Sequence, residues 1–444
     1  MIEDIIERIQ KVTFTILRKE ETLSPTHGIF HMQNNVSELK YCLACDSGNL
    51  LPVLDLGTQP LANSFKEKLC DKEEKYPLAI NVCRNCHHVQ LTHAVNPELM
   101  FKEYLYVSGT SKTMADHFKW FAEYAKEYFT FTTVLRPQSV LDIGCNDGSQ
   151  LNAFKALGLK TFGVDPAENL YATSSINHTV YKQFFNQPFV ETEGGAYDLL
   201  VAQNVFAHNA DPLSFLKYAR LLMHDDSLMF VQTSQADMIK NGEFDTIYHE
   251  HINFFNVKSM NELTKRAALY MIDVIKCPIH GNSYIFVLSK NKSHKRPYNI
   301  SNQIAMEKAA GLYDDKTYGE YGLRCKDLIE KIKFAVDPYR RLELGWNIVG
   351  YGAAAKGMTV LNATGLKLDA IVDDNPLKQG RFAPGSNIPI VPIDYIKEHK
   401  DTTLFVPLAW NFYDEIVSKI KAARPTNEHD MYLKYFPEAE VYHE

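Results

Sequence analysis

Between about residues 139 and 290, short apolar runs alternate with helix-like segments, and no other feature restricts the fold as tightly. SVLDIG, KTFGVD, YDLLVAQNV, SLMFVQTS, YMIDVIKC and SYIFVLSK read as strands. Strands separated by helical stretches predict a mainly parallel sheet with helices on both faces. The amphipathic stretch MADHFKWFAEYAKEYF leads into the first of them. A charged segment, Ser289 to Asn299, reads as a boundary, and a helical region follows to about residue 344. NIVGYG, DAIVDDN, IPIVPID and TLFVPLAW then make a second αβ run. With 444 residues, 45% of them apolar, the chain can bury more than one core.

Upstream of the first run, four of the eight cysteines form two CxxC pairs, Cys42/Cys45 and Cys83/Cys86. Cys70, Cys145, Cys277 and Cys325 are scattered. Zinc takes four soft ligands in a tetrahedron, and each CxxC turn supplies two thiolates. Four sulfurs leave no open position, so a zinc ion here would be structural. The bland alternative is four buried thiols. His87 and His88, beside Cys86, are substitute ligands on the same pattern.

The net charge is −7 and no long Lys/Arg block exists, so a nucleic-acid partner is not expected. The first residues, MIEDIIERIQKVTF, lack the continuous apolar stretch of a signal peptide. No run approaches the length of a membrane span. A soluble cytoplasmic protein, monomeric or a weak homo-oligomer, is expected.

In VLDIGCNDGSQL an apolar strand ends in Asp142, followed by Gly144 and Gly148. Small residues let the backbone approach a ligand where a helix begins. The spacing differs from that of dinucleotide folds and is the pattern S-adenosylmethionine (SAM) methyltransferases use. Asn146 and Asp147, inside the loop, belong to the same candidate set. Asp165, ending the next strand, suits both hydroxyls of a ribose. Gln203, Asn204 and His208 follow a third strand at the edge where open sheets bind ligands. The competing reading is a nucleotide fold for another cofactor.

NIVGYGAAAKG places Gly350, Gly352 and Gly357 after a strand, with Asp373 and Asp374 about 20 residues on. The spacing is wrong for a dinucleotide fingerprint. A helix N-terminus with Lys356 nearby suits a substrate's phosphates better than NAD. A turn needed only for packing is the bland alternative.

FDTIYHEHINFF brings Tyr248, His249, Glu250 and His251 together. Its histidines lack the spacing of two metal ligands on one helix face. As a strand it would separate Tyr248 and Glu250 from His249 and His251. Convergent Tyr, Glu and His suit proton abstraction: His as base, a carboxylate to orient it, Tyr as donor to an oxyanion. A surface polar cluster is the alternative.

Taken in order, CxxC, DLGTQPLANSF, CxxC, DIGCNDG, NVFAH, IYHEHINFF, YGAAAKG, DDNPLKQGRFAPGSNIPI and LAWNF closely resemble the bacterial sugar C-methyltransferases of deoxysugar biosynthesis. The resemblance covers roughly residues 40–425. It implies an α/β fold: a small N-terminal zinc-binding domain, a central doubly wound SAM-methyltransferase domain and a C-terminal Rossmann-like domain. The corresponding boundaries are an extension over 1–35, then 36–105, 106–290 and 291–444. The implied substrate is a nucleotide-linked 4-keto-6-deoxy sugar, methylated next to its ketone at C3. The resemblance makes Cys42, Cys45, Cys83 and Cys86 the zinc ligands and His251 the general base, with Tyr248 and Glu250 beside it. His208 and Tyr106 match active-site positions, with Tyr104 two residues from the latter. Gly352, Lys356 and His280 are the expected substrate contacts.

Two departures stand out. The first 35 or so residues exceed the family's pattern. The family's His-Gly-Gly-Ser segment reads HGNS here, with Asn282 for a glycine and Ile285 where an arginine is usual. That puts the usual substrate contact, and the sugar, in question. An O- or N-methyltransferase of another small molecule, and a zinc-ribbon binding module on a decayed enzyme fold, are the competing functions. An NAD enzyme is a more remote one.

Overall fold

The computed structural model describes residues 35–443 except 111, 194, 235–236, 280–282, 295, 342–345 and 400. The expected N-terminal extension, apart from Asn35, lies outside the described residues, as do His280 and Asn282.

The N-terminal region is built from β1 (Val36–Glu38), β2 (Leu50–Gln59), β3 (Tyr76–Cys83), β4 (Val89–Leu91) and β5 (His93–Val95). The central region carries β6 (Ser139–Ile143), β7 (Lys160–Val164), β8 (Thr179–Tyr181), β9 (Tyr197–Gln203), β10 (Met223–Ser234), β11 (Asn253–Phe254), β12 (Tyr270–Cys277) and β13 (Ser283–Ser289). The last region carries β14 (Asn347–Tyr351), β15 (Ala370–Val372), β16 (Ile390–Val391), β17 (Thr403–Pro407), β18 (Met431–Lys434) and β19 (Glu440–Tyr442).

The central sheet has the order β12-β13-β10-β9-β6-β7-β8. It is parallel except at β13, which runs antiparallel to both its neighbours. Successive residues explain its two cores. Val140, Leu199 and Phe230 point to one face, under Phe121 and Phe129 of the helix Lys112–Thr133. Leu141, Leu200 and Val231 point to the other, under Leu216 and Leu263. Strands buried on both faces read as continuous apolar runs, which is why these were legible in the sequence. Ile285 belongs to the first face, fully buried among Phe121 and Phe230.

The third sheet, β16-β15-β14-β17-β18-β19, is parallel up to the antiparallel edge strand β19. This is the second αβ run, with two further strands that the sequence pattern did not mark. The segment after β14 lines the same cavity as the segment after β6 of the central sheet.

The N-terminal sheet has the order β11-β4-β3-β2. Its edge strand β11 comes from the central stretch of the chain and pairs antiparallel with β4. Ile247, Ile252 and Phe254, flanking the YHEH segment, share one core with Leu78 and Ile80 of β3 and with Tyr321 and Leu404 of the C-terminal region. YHEH is thus wedged where the three regions meet. Among the described residues, no helix is long and apolar enough to cross a membrane.

Candidate active site

Tyr248–His251 is a tight turn, closed by the His251 N–H donating to the Tyr248 carbonyl at 2.9 Å. The turn gives each side chain a separate direction. Nδ1 of His251 lies 3.0 Å from the Thr246 carbonyl. A carbonyl only accepts, so Nδ1 carries the proton and Nε2 keeps its lone pair. The Tyr248 hydroxyl donates to that Nε2 at 2.6 Å. His251 is therefore oriented by a backbone carbonyl; Glu250, the carboxylate expected to orient it, has other partners. Its two oxygens accept from Asn63 Nδ2 at 2.6 Å and the Tyr104 hydroxyl at 2.8 Å. Burial pushes this carboxyl up to about 7, against the pull of Asn63 and Tyr104. His249 turns the other way, onto the Tyr76 carbonyl at 3.2 Å.

His208 stacks on His251, ring centroids 5.3 Å apart, and Phe101 covers its far face. Burial holds the His208 ring down to about 4, so it stays neutral near pH 7. Its Nε2 is buried with no hydrogen-bond partner among the described residues. A neutral neighbour spares His251 a like charge when it takes a proton.

Tyr248, His251, His208 and Phe101 line a cavity of about 970 Å³. Tyr106 lines it, yet Tyr104 is the tyrosine bonded to Glu250. Tyr104 stands two residues before Tyr106, the residue that the family resemblance points to. Asn63 sits in DLGTQPLANSF, a stretch in which the sequence alone points to no site residue.

At the other end of the cavity lies the glycine loop after β6. Gly144 and Gly148 have φ of 78° and 82°, and Asn146 has 49°. A Cβ on Gly144 would lie 2.8 Å from the Val205 side chain. Asp142 is buried at the end of β6, and burial followed by the charge of Asp165 pushes it up to about 8. Asp165 accepts from the Asn146 and Ala167 N–H groups, at 2.8 Å each. The Asn146 and Asp147 side chains accept from the Ser108 and Gly109 N–H groups, tying a cavity wall to the loop. Gln203 ends β9 with both amide atoms buried and unpartnered among the described residues, and Asn204 follows at φ 56°. The positive-φ loop and the orphaned Gln203 amide fit SAM: backbone room for its methionine end, and polar atoms awaiting a ligand.

Gly352, with φ 87°, lines the same cavity after β14. Lys356, expected at a pyrophosphate, lies 3.8 Å from Glu243 and over the Trp410 ring. Asp373 accepts from the Ala353 and Asn375 N–H groups. Asp374 accepts from Tyr351 and Lys419. Both acids are thus engaged within the protein, which disfavours the NAD pattern.

The sulfurs of Cys42, Cys45, Cys83 and Cys86 lie within 4.8 Å of one another. Cys42–Cys86 and Cys45–Cys83 are each 3.5 Å apart. Thiolates about 2.3 Å from one ion sit about 3.8 Å apart in a tetrahedron, so the cluster fits zinc. His88 bonds Asn253 instead, and the His87 ring packs on Tyr313.

Comparison with known proteins agrees region by region. Family profiles match here: a putative zinc binding domain over residues 42–101, a methyltransferase domain over 116–274 and a C-methyltransferase C-terminal domain over 278–429. C-methyltransferase NovU of Streptomyces niveus is 30% identical over 401 residues, 88% of this chain and 94% of NovU. The chain belongs to the C-methyltransferase family. Ubiquinone biosynthesis O-methyltransferase of Glaesserella parasuis serovar 5 (strain SH0165) shares 27% identity over 112 residues, 23% of this chain and 48% of that protein. A SAM-dependent methyltransferase structure from Clostridium acetobutylicum ATCC 824 aligns with 39% of this chain and 91% of its own, at 12% identity and a TM-score of 0.33. This C-methyltransferase is SAM-dependent and carries a four-cysteine zinc-binding region.

Proposed function

We propose that this C-methyltransferase methylates C3 of a nucleotide-linked 4-keto-6-deoxy sugar, after His251 removes the proton alpha to the ketone. The observation that carries this reading is the Tyr248 hydroxyl donating to an unprotonated His251 Nε2 on the cavity wall. The proton alpha to a ketone is weakly acidic, so its removal needs a positioned base and a donor for the enolate oxygen. Nε2 is the basic atom of the pair. Once it holds the proton it can no longer accept from Tyr248. The phenolic hydrogen is then released toward the enolate oxygen, so one hydrogen bond serves both halves of the step. His208, neutral and with no partner at Nε2 among the described residues, is available to a substrate oxygen. SAM, when bound along the glycine loop, supplies the methyl group the enolate carbon takes up. Gly352 and the helix Ala355–Thr364 form the opposite wall, where the nucleotide portion would lie.

The test is incubation with a panel of nucleotide 4-keto-6-deoxy sugars in deuterated water, with and without SAM, read by mass spectrometry. Deuterium uptake without SAM, and a C-methyl product with it, are expected. Silence across the panel sinks the sugar reading. Methylation at oxygen without exchange replaces it with an O-methyltransferase.

A further inference from the structure

We propose that Asn63, carried on the zinc-binding region, is a positioning residue for Glu250. The proposal rests on the reading that the YHEH turn performs the proton chemistry.

Asn63 lies in the connection between β2 and β3, the two longest strands of the zinc-binding sheet. That connection leaves its own sheet and crosses to the cavity. Its amide donates to Glu250 Oε1 at 2.6 Å, across 187 residues of sequence. A carboxylate only accepts, so the amide nitrogen is the atom that faces it. Phe65 and Lys66, two and three positions downstream, are anchored too. Phe65 is buried, with the Lys378 ammonium 5.2 Å above its ring. Lys66 exchanges two backbone hydrogen bonds with Phe382, at 3.0 and 2.8 Å. Asn63 therefore has little freedom to leave Glu250.

The same region grips the turn from its other side. β11 follows the turn and pairs with β4, and His249 meets the Tyr76 carbonyl of β3. The zinc-binding region thus holds the turn's backbone by one route and its carboxylate by another. The Tyr104 hydroxyl, the Tyr248 phenol and the Lys378 ammonium also face Glu250. Of the two groups that hydrogen-bond the carboxylate, Asn63 is the one that cannot ionise. A hydrogen bond to a charged acceptor stabilises the charged form. Asn63 favours the ionised form of Glu250 and aims its carboxylate, which fixes Tyr104 and leaves negative charge one residue from the imidazolium formed at His251.

The test uses full-length, zinc-loaded protein and two readouts. The first is the infrared band of the protonated carboxyl, present in wild type and missing in Glu250→Gln, followed against pH. The second is the kcat and KM of methyl transfer on whichever sugar of the panel wild type accepts. Asn63→Ala should move the band's midpoint up and lower kcat roughly 10-fold with KM little changed. Asn63→Asp is isosteric, sets a second carboxyl against the first and should move the midpoint further; it carries the test if Asn63→Ala no longer binds SAM in a calorimeter. An unmoved midpoint overturns the proposal whatever the rates do, and so does a moved midpoint with unchanged kcat. A moved midpoint in a protein whose wild type is silent on every sugar supports the Asn63–Glu250 relationship and sinks the substrate reading alone.

Discussion

Tyr248 and His251 share one hydrogen bond of 2.6 Å, and the opposite edge of the imidazole is held by the Thr246 carbonyl. That pairing assigns the basic atom. His251→Gln should abolish deuterium exchange and cut methyl transfer about 10³-fold, because His249 and Glu250, the other basic groups of the turn, do not line the cavity. Tyr248→Phe keeps the base and loses the donor, so a loss of about 10–100-fold is expected. Rates of exchange without SAM check both. A His251→Gln enzyme that retains exchange would move the base elsewhere.

The two tyrosines near the turn should separate. Tyr104 is bonded to Glu250, whereas Tyr106 meets Tyr104 only edge-on, its ring centroid 6.3 Å away. Tyr104→Phe should lower kcat by roughly 10-fold, with Tyr106→Phe falling less. Parallel kinetics with one accepted sugar decide it. Equal losses would mean that the substrate contacts both phenols.

The central strands were legible because apolar runs buried on both faces leave a local signature. The zinc-binding sheet left none. β2 is bulged against β3 in two places, and β11 arrives from about 160 residues downstream. The site shows the same division. His251 and Tyr248 are three residues apart, so a turn suffices to join them. Glu250 finds Tyr104 and Asn63 at separations of 146 and 187 residues, and no spacing rule reaches that far. A carboxylate beside a histidine in sequence suggested a pair that the turn in fact splays apart.

Zinc removal should reach the chemistry. The cysteine cluster ties the turn before β2 to the turn between β3 and β4, at one end of the sheet that receives β11. Chelation, or Cys83→Ser, should release one zinc per chain, lower the thermal midpoint and suppress turnover more than SAM affinity. Elemental analysis, thermal unfolding and calorimetry check the three parts. Unchanged turnover in metal-free protein would break the link between the zinc-binding region and the turn.

Gly144 tests the cofactor loop. Its φ of 78° disfavours a side chain, and a Cβ would collide with Val205. Gly144→Ala should weaken SAM binding about 10-fold or more and destabilise the protein by about 1–2 kcal/mol. Val205→Ala in the same chain should recover the part due to collision and leave the part due to φ. Full recovery would mean that φ costs nothing here; no recovery would mean that Val205 moves aside unaided.

Glu307 should make stability pH-dependent. It is buried, accepts the Val257 N–H at 2.9 and 3.1 Å on its two oxygens, and takes the Tyr313 hydroxyl at 2.5 Å. Burial outweighs these bonds and pushes the carboxyl up from 4.5 to about 7. A raised folded value means the native state holds the proton more tightly than the unfolded chain. Its stabilising contribution is therefore complete below about pH 4.5 and is lost as pH rises through 7, with an upper bound of about 3 kcal/mol. Glu307→Gln keeps an acceptor for Val257 and cannot ionise. The stability of wild type relative to this variant should fall between pH 4.5 and 7 and level off above it, as read by denaturant unfolding across that range. A difference that stays flat with pH would show that Glu307 is ionised in the native protein throughout.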